Sequence, residues 1–324
     1  MIFYKYSRRL FYQIAIWIFI SCILLVVLLS IPWGAHRLRM YPNPSVDYAD
    51  AFQRIEILKS LETNDLNPLC QLQFYTHGER VARVAILVHG YTSCPQQFAD
   101  LGKRFYDAGY NVLIAPLPHH GLKDRMTEQH RQLSAQEMAA YADQVLDIAQ
   151  GLGENVLMAG LSAGAVVTAF AARHRADLDV AMLISPAFGY KVVPTWATPI
   201  AMNLYALLPN SYGWWDAARQ EQGGALHGYP RHSSRALAAL LRLGFAARMG
   251  KLKAQQLIVV TNSNDAAVNN QLIYSTIHRW EQQGVQLRTY EFSSAWQLDH
   301  DLIEPTHPKA RTDLVYPVLL KLAQ

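Results

Sequence analysis

Cysteine is scarce in this chain of 324 residues: Cys22, Cys70 and Cys94 are all there is. The sequence also lacks an HExxH helix, a paired CxxC and a glycine-rich phosphate loop, so the usual signals of metal-dependent hydrolysis and of nucleotide chemistry are missing. Neither a metal nor a cofactor is expected. Charge is sparse too, with 17% charged residues and a net charge of +4, and no basic run is interleaved with aromatics as on a nucleic-acid surface, so nucleic acid is not an expected partner. Arg231, Arg235, Arg242, Arg248, Lys251 and Lys253 do gather late in the chain and read as a solvated helix face. There is no internal repeat or low-complexity tail. With 51% hydrophobic residues the chain can build one sizeable core.

The sharpest local absence is of charge between Leu10 and Ala35, a stretch dominated by Ile, Leu, Val, Phe and Trp. A helix rises about 1.5 Å per residue, so about 20 apolar residues cross a hydrocarbon core of roughly 30 Å. Pro32, Trp33 and Gly34 stand where a signal peptidase would need small residues, so the segment reads as an uncleaved single-pass anchor. Lys5, Arg8 and Arg9 precede it and Arg37 and Arg39 follow, a slight positive-inside bias that puts the bulk of the chain outside the cytoplasm. Cys22 follows Phe19, Ile20 and Ser21, a poor lipoprotein signal, and reads as a lipid-facing or helix-packing residue. The expected organisation is a short cytoplasmic N-terminus at 1–9, the anchor at 10–35, a linker with an amphipathic helix at 36–65, and one domain at 66–324. Tyr41 to Pro44 forms the stiff linker, and Tyr48, Phe52, Ile55 and Leu58 recur at helical spacing.

In the remainder of the chain, apolar runs of strand length alternate with helical patterns, which predicts an α/β domain with a mostly parallel sheet covered on both faces. Strands are expected near 71–76, 82–88, 111–115, 155–159, 179–184, 256–261 and 286–291. Helices are expected to start near Pro95, Ser134, Ala163 and Val268, with a last one from about Arg311.

Chemistry concentrates at Val156 to Ala165, VLMAGLSAGA. A serine hydroxyl is a weak nucleophile at neutral pH and must be held in the open beside a base and oxyanion donors. Glycines two before and two after Ser162 permit the sharp strand-to-helix turn that does this. A GxSxG match alone arises by chance in about one chain in ten of this length, so the flanks carry the reading: Val156, Leu157 and Met158 as a strand, Ala163 to Ala169 as a helix. In the order nucleophile, acid, base, a run at Leu257 to Val260 ends in a loop with Asp265, and a strand-like Val285 to Phe292 leads to Leu298, Asp299, His300 and Asp301. Ser162, Asp265 and His300 form the expected triad. Asp299 and Asp301 are rivals to Asp265, although neighbours of His300 in an extended loop point away from its ring. His119 and His120, in a turn after another strand, have no assigned role.

At these residues the chain resembles the α/β-hydrolase superfamily, over about Leu72 to Leu322, and within it the carboxylesterases, monoacylglycerol lipases and serine aminopeptidase-like hydrolases. The likeness extends to the strand and HGxxxxP-like turn at Val84 to Pro95. It implies backbone N–H oxyanion donors at Tyr91 and Ala163, a structural His89, and a lid in the long interval at about 186–250, which is rich in Tyr and Trp. A haloalkane dehalogenase would carry aspartate in place of Ser162, so acyl transfer is favoured. Cys70 and Cys94 are an even pair in a compartment that permits a disulfide bracing the oxyanion turn; two buried thiols are equally compatible. The resemblance implies a serine hydrolase acting on carboxylic esters; the N-terminal apolar run makes it membrane-anchored, a setting that suits small-molecule or lipid-like esters. A peptidase, an amidase or an acyltransferase would use the same triad, and a tethered binding module would have no need of it.

Overall fold

The computed structural model describes residues 2–324, with side chains from Phe11 onward. The side chains of Lys5, Arg8 and Arg9, and with them the expected charge asymmetry, lie outside the described residues. In chain order the strands are β1 (Gln73–Tyr75), β2 (Val81–Val88), β3 (Tyr110–Ile114), β4 (Gly153–Leu161), β5 (Val180–Ile184), β6 (Tyr212–Trp214), β7 (Arg231–Ser233), β8 (Gln256–Asn262) and β9 (Leu287–Phe292). The helices are α1 (Ile2–Leu29), α2 (Tyr48–Ser60), α3 (Ala99–Asp107), α4 (Ala135–Leu152), α5 (Ala163–His174), α6 (Thr198–Leu207), α7 (Ser234–Arg248), α8 (Asn270–Gln282) and α9 (Thr312–Leu322).

Seven strands form one sheet in the order β1-β3-β2-β4-β5-β8-β9, parallel except for β1. The alternation of side chains along β2 shows why the sheet is covered on both faces. Val84, Ile86 and Val88 join a core with α4, α5 and α7, while Ala85 and Leu87 join a second core with α3 and α9. The chain leaves β2 towards β3 on one side and returns to β4 on the other. Loops that follow β2 and β4 therefore diverge at a switch point, where open α/β sheets bind ligands.

Helix α1 ends at Leu29, short of the expected boundary at Ala35. Pro32 cannot continue a helix and restricts the residue before it, and Ser30 returns its hydroxyl to Val26 O. The segment after it is no free spacer. Ala35 and Leu38 are buried, the Tyr41 N–H donates to Asp143 Oδ2 at 2.6 Å, and the Asn43 N–H donates to Asp147 Oδ2 at 2.9 Å. Asp143 and Asp147 each pair with the buried Arg175 guanidinium, at 3.0 and 2.7 Å. Helix α2 then packs Ala51 and Ile55 against the domain, leaving Phe52 partly exposed.

The interval at 186–250 is built in two parts. Helix α6 and the β6–β7 hairpin stand outside the sheet layers, whereas α7 is buried along most of its length and packs on α5 within the helical layer. Its Ala236, Leu240, Leu243 and Ala247 supply the apolar face that makes it part of the core instead of a cover.

Candidate active site

Strand β4 runs straight into α5, and Ser162 is the one residue between them. Its backbone sits at φ 57°, ψ −107°, a conformation that costs a non-glycine residue about 1–3 kcal/mol. Three main-chain bonds hold it there: the Ser162 N–H donates to Ile184 O at 2.9 Å, and Ser162 O accepts from Val166 and Ala187 at 3.2 Å each. The flanking glycines are required by close approach. A Cβ on Gly160 would collide with the main chain of Gly164, and one on Gly164 would collide with Val88 O at the end of β2. The elbow thus presses the start of α5 onto the neighbouring strand.

That contact aligns the two expected oxyanion donors. Val88 is paired in register with Gly160, so Tyr91 and Ala163 each lie three residues beyond a matched pair on adjacent parallel strands. Ala163 is the first residue of α5, whose N–H has no acceptor within the helix. The turn carrying Tyr91 is clamped from several directions. The Gly90 N–H donates to Gln97 Oε1 at 2.8 Å, and the Tyr91 hydroxyl bonds His130 Nδ1 at 2.8 Å while accepting from the Ser233 N–H at 3.1 Å. Thr92, at φ 66°, takes an indole N–H from Trp215 on Oγ1 and a main-chain N–H from Tyr229 on its carbonyl, both at 2.7 Å. Cys94, next in the turn, is disulfide-bonded to Cys70, with Cα atoms 5.3 Å apart.

On the other side of the elbow, His300 Nδ1 lies 2.7 Å from Asp265 Oδ2. The other carboxylate oxygen accepts the N–H groups of Ala267 at 2.8 Å and Val268 at 3.1 Å. Burial works against the charge on Asp265, but His300 and these two donors outweigh it and hold the carboxyl below its ordinary value. Burial likewise opposes charge on His300, and Asp265, then Asp301 and Asp299, outweigh it and raise the imidazole above its ordinary value. The two loops are stitched together by Asn262, whose Nδ2 donates to Leu298 O and Asp299 O at 3.0 Å, and by Asn264, which donates to Leu298 O at 3.1 Å.

The rival carboxylates face elsewhere. Asp299 accepts the His300 main-chain N–H at 2.8 Å, and Asp301 accepts from Gln97 Nε2 at 2.7 Å. Gln97 therefore bridges the Tyr91 turn to the His300 loop, a link that sequence reading missed because nothing about a lone glutamine in Pro-Gln-Gln-Phe marks it. His89 is buried, with Nδ1 on Gly90 O and Nε2 accepting from the Leu117 N–H, both at 2.9 Å, as a structural neutral imidazole. His119 is tied to Glu137 at 3.0 Å, and His120 is buried among Tyr91, Tyr229 and His89, where burial lowers its pKa to about 4. The expected basic face is divided: Arg231 stacks on Tyr212, and Arg248 is buried against Phe245 and Phe188.

Comparison with known proteins agrees with this architecture. The family model for serine aminopeptidase, S33, matches residues 79–239. A thermostable monoacylglycerol lipase from Bacillus sp. (strain H-257) is 27% identical over 111 residues, 32% of this chain; the aligned stretch spans 40% of that lipase. Among solved structures, one from a study of the metagenome-derived lipolytic enzymes LipS and LipT aligns with a TM-score of 0.57 at 19% identity, covering 79% of this chain and 98% of that one. The monoacylglycerol lipase of Paleococcus ferrophilus aligns with a TM-score of 0.56 at 14% identity, covering 78% of this chain and 96% of that one. The chain thus has the α/β-hydrolase fold of these structures, and its residues 79–239 are similar to the serine aminopeptidase, S33 family.

Proposed function

We propose that this protein is a membrane-anchored serine hydrolase that cleaves carboxylic esters through an acyl-enzyme. The observation that carries the reading is the Asp265–His300 pair, stitched into the loops beyond β8 and β9, on the same sheet edge as the strained Ser162. Ser162 Oγ attacks the ester carbonyl carbon while His300 Nε2 takes the hydroxyl proton. Asp265 holds the Nδ1–H tautomer and stabilises the imidazolium. The N–H groups of Tyr91 and Ala163 receive the negative oxygen. Collapse breaks the bond to the leaving alcohol, which takes the proton from His300, and water then repeats the sequence on the acyl-Ser162 ester.

Phe11–Leu29, with mean hydropathy 2.6 and no residue buried inside the fold, supports a membrane span. The Cys70–Cys94 disulfide supports an oxidising, extracytoplasmic side for the domain. Monoacylglycerol-like esters suit an anchored enzyme, and two of the similar proteins are monoacylglycerol lipases. The test is fluorophosphonate labelling of the full-length protein in detergent, with Ser162→Ala and His300→Ala alongside. Stoichiometric labelling abolished by both substitutions is the expected result, and a folded wild type that stays unlabelled sinks the reading.

A further inference from the structure

Helix α6 leaves an apolar stripe uncovered. Ile200, half-buried, Leu204 and Leu207 follow the i, i+4, i+7 spacing of one helix face, and Leu208 extends the apolar surface just past the helix end. Leu207 and Leu208 are 74% and 54% exposed, and Trp196, in the turn that opens the helix, is 73% exposed. Scattered singly such residues mean little; gathered on one element they mark a contact surface.

What lies beside the stripe identifies the partner. Asn203, adjacent to Leu204 and itself buried, donates from Nδ2 to two main-chain carbonyls, Leu29 O and Ile31 O, both at 2.7 Å. Those are carbonyls at the end of α1, which a span leaves without intrahelical donors where water is scarce. Ile31 and Trp33, just past α1, are exposed as well. An apolar surface therefore continues from the end of α1 onto α6.

We propose that α6 is a second membrane contact, lying in the interface of the bilayer that α1 crosses, with its leucine stripe and Trp196 in the headgroup and acyl boundary. This rests on the anchor reading above. At ten residues α6 is about 15 Å long, too short to span but suited to lie in the plane of the interface, and tryptophan is at home at that depth. The contact reaches the site through the segment before α6. The Lys191 N–H donates to Ala267 O at 2.9 Å, and Asn269 Nδ2 donates to Val193 O at 3.0 Å and Thr195 Oγ1 at 3.3 Å, which ties the membrane-facing element to the loop that carries Asp265.

The test uses the full-length protein carrying Cys22→Ser, reconstituted in phosphatidylcholine nanodiscs, because Cys70 and Cys94 are bonded to each other. Nitroxide labels are placed through Leu204→Cys, Leu207→Cys and Leu208→Cys, through Leu25→Cys in α1, and through Glu79→Cys, which is exposed in the turn between β1 and β2. The α6 labels are expected to behave like Leu25→Cys, relaxed by dissolved oxygen and shielded from an aqueous nickel chelate, with Glu79→Cys showing the reverse. If Leu25→Cys reads lipid and the α6 labels read water, the docking is overturned and the anchor stands. If Leu25→Cys itself reads water, the anchor fails and the docking with it. Shielding of the α6 labels from both reagents means that protein covers the stripe, which also overturns the proposal.

Discussion

Two histidines near the elbow each use Nδ1 to hold a side chain, and their surroundings send them in opposite directions. His300 faces the buried Asp265 carboxylate and its pKa is raised, whereas His130 faces the Tyr91 hydroxyl in an aromatic pocket with no carboxylate partner, where burial above all, with Arg231 and its histidine neighbours adding, lowers its pKa to about 3. The difference follows the work each region is assigned. Proton transfer needs a site that stabilises charge when it arrives. An oxyanion turn needs only fixed dipoles, and neutral hydrogen bonds among Tyr91, His130, Ser233, Trp215 and Thr92 hold it without adding a competing charge.

The largest expected effect comes from Ser162→Ala, which removes the nucleophile and should lower kcat on an ester by on the order of 10⁴-fold or more with the fold intact. Retention of more than a trace of activity on a purified sample would mean that some other group attacks. Asp265→Asn should cost about 10³- to 10⁴-fold by misorienting the His300 tautomer. It should also shift the acid limb of the pH–rate profile downward. His300 must be neutral to act as base, so activity falls as pH drops through its raised pKa; loss of the carboxylate lets that pKa fall, and a limb that stays in place contradicts the assignment.

Breaking the neutral region should cost less. Tyr91→Phe leaves the His130 Nδ1 and the Ser233 N–H without their shared partner, which predicts about 1–3 kcal/mol of lost stability. The predicted kcat loss is about tenfold, smaller than removal of an oxyanion donor itself. Unchanged melting temperature and kcat would show that the clamp is idle. The smallest effect emerges only on acidification. His120 and His130 are neutral in the fold with pKa values of about 4 and about 3, while the unfolded chain protonates near the ordinary 6.5. Their contribution is complete above about 6.5 and is lost as pH falls towards 4, because the unfolded state then binds more protons. His120→Phe should flatten the fall of melting temperature over that window, and an identical slope would remove His120 from the account.

Much of the framework was legible because it is written in contiguous residues. The strand, elbow and helix around Ser162 form one run, and the loops of Asp265 and His300 each follow an apolar strand at the edge where ligands collect. The clamp on the oxyanion turn was not legible, since Thr92 meets Trp215 and Tyr229 only after more than a hundred intervening residues have folded. No local propensity records such a meeting. Helix α7 was hidden for a related reason: its apolar face reads equally well as the inside of a lid or as the outer layer of the sheet, and only contact with α5 decides. The end of the apolar N-terminal helix was blurred because the uncharged run continues past Leu29, while the helix stops with Pro32 three residues ahead.

The strap from Ala35 to Ser45 is bonded onto α4 at Tyr41, Asn43 and Ser45. A spacer of that length left loose would let the domain wander on a leash of tens of ångströms, set by the square root of its length. Here main-chain N–H groups sit on Asp143 and Asp147, which share the buried Arg175 guanidinium. Reach is given up for aim: on the proposed anchoring, the domain would search in two dimensions at one height and meet its substrate by lateral diffusion past a mouth that does not swing.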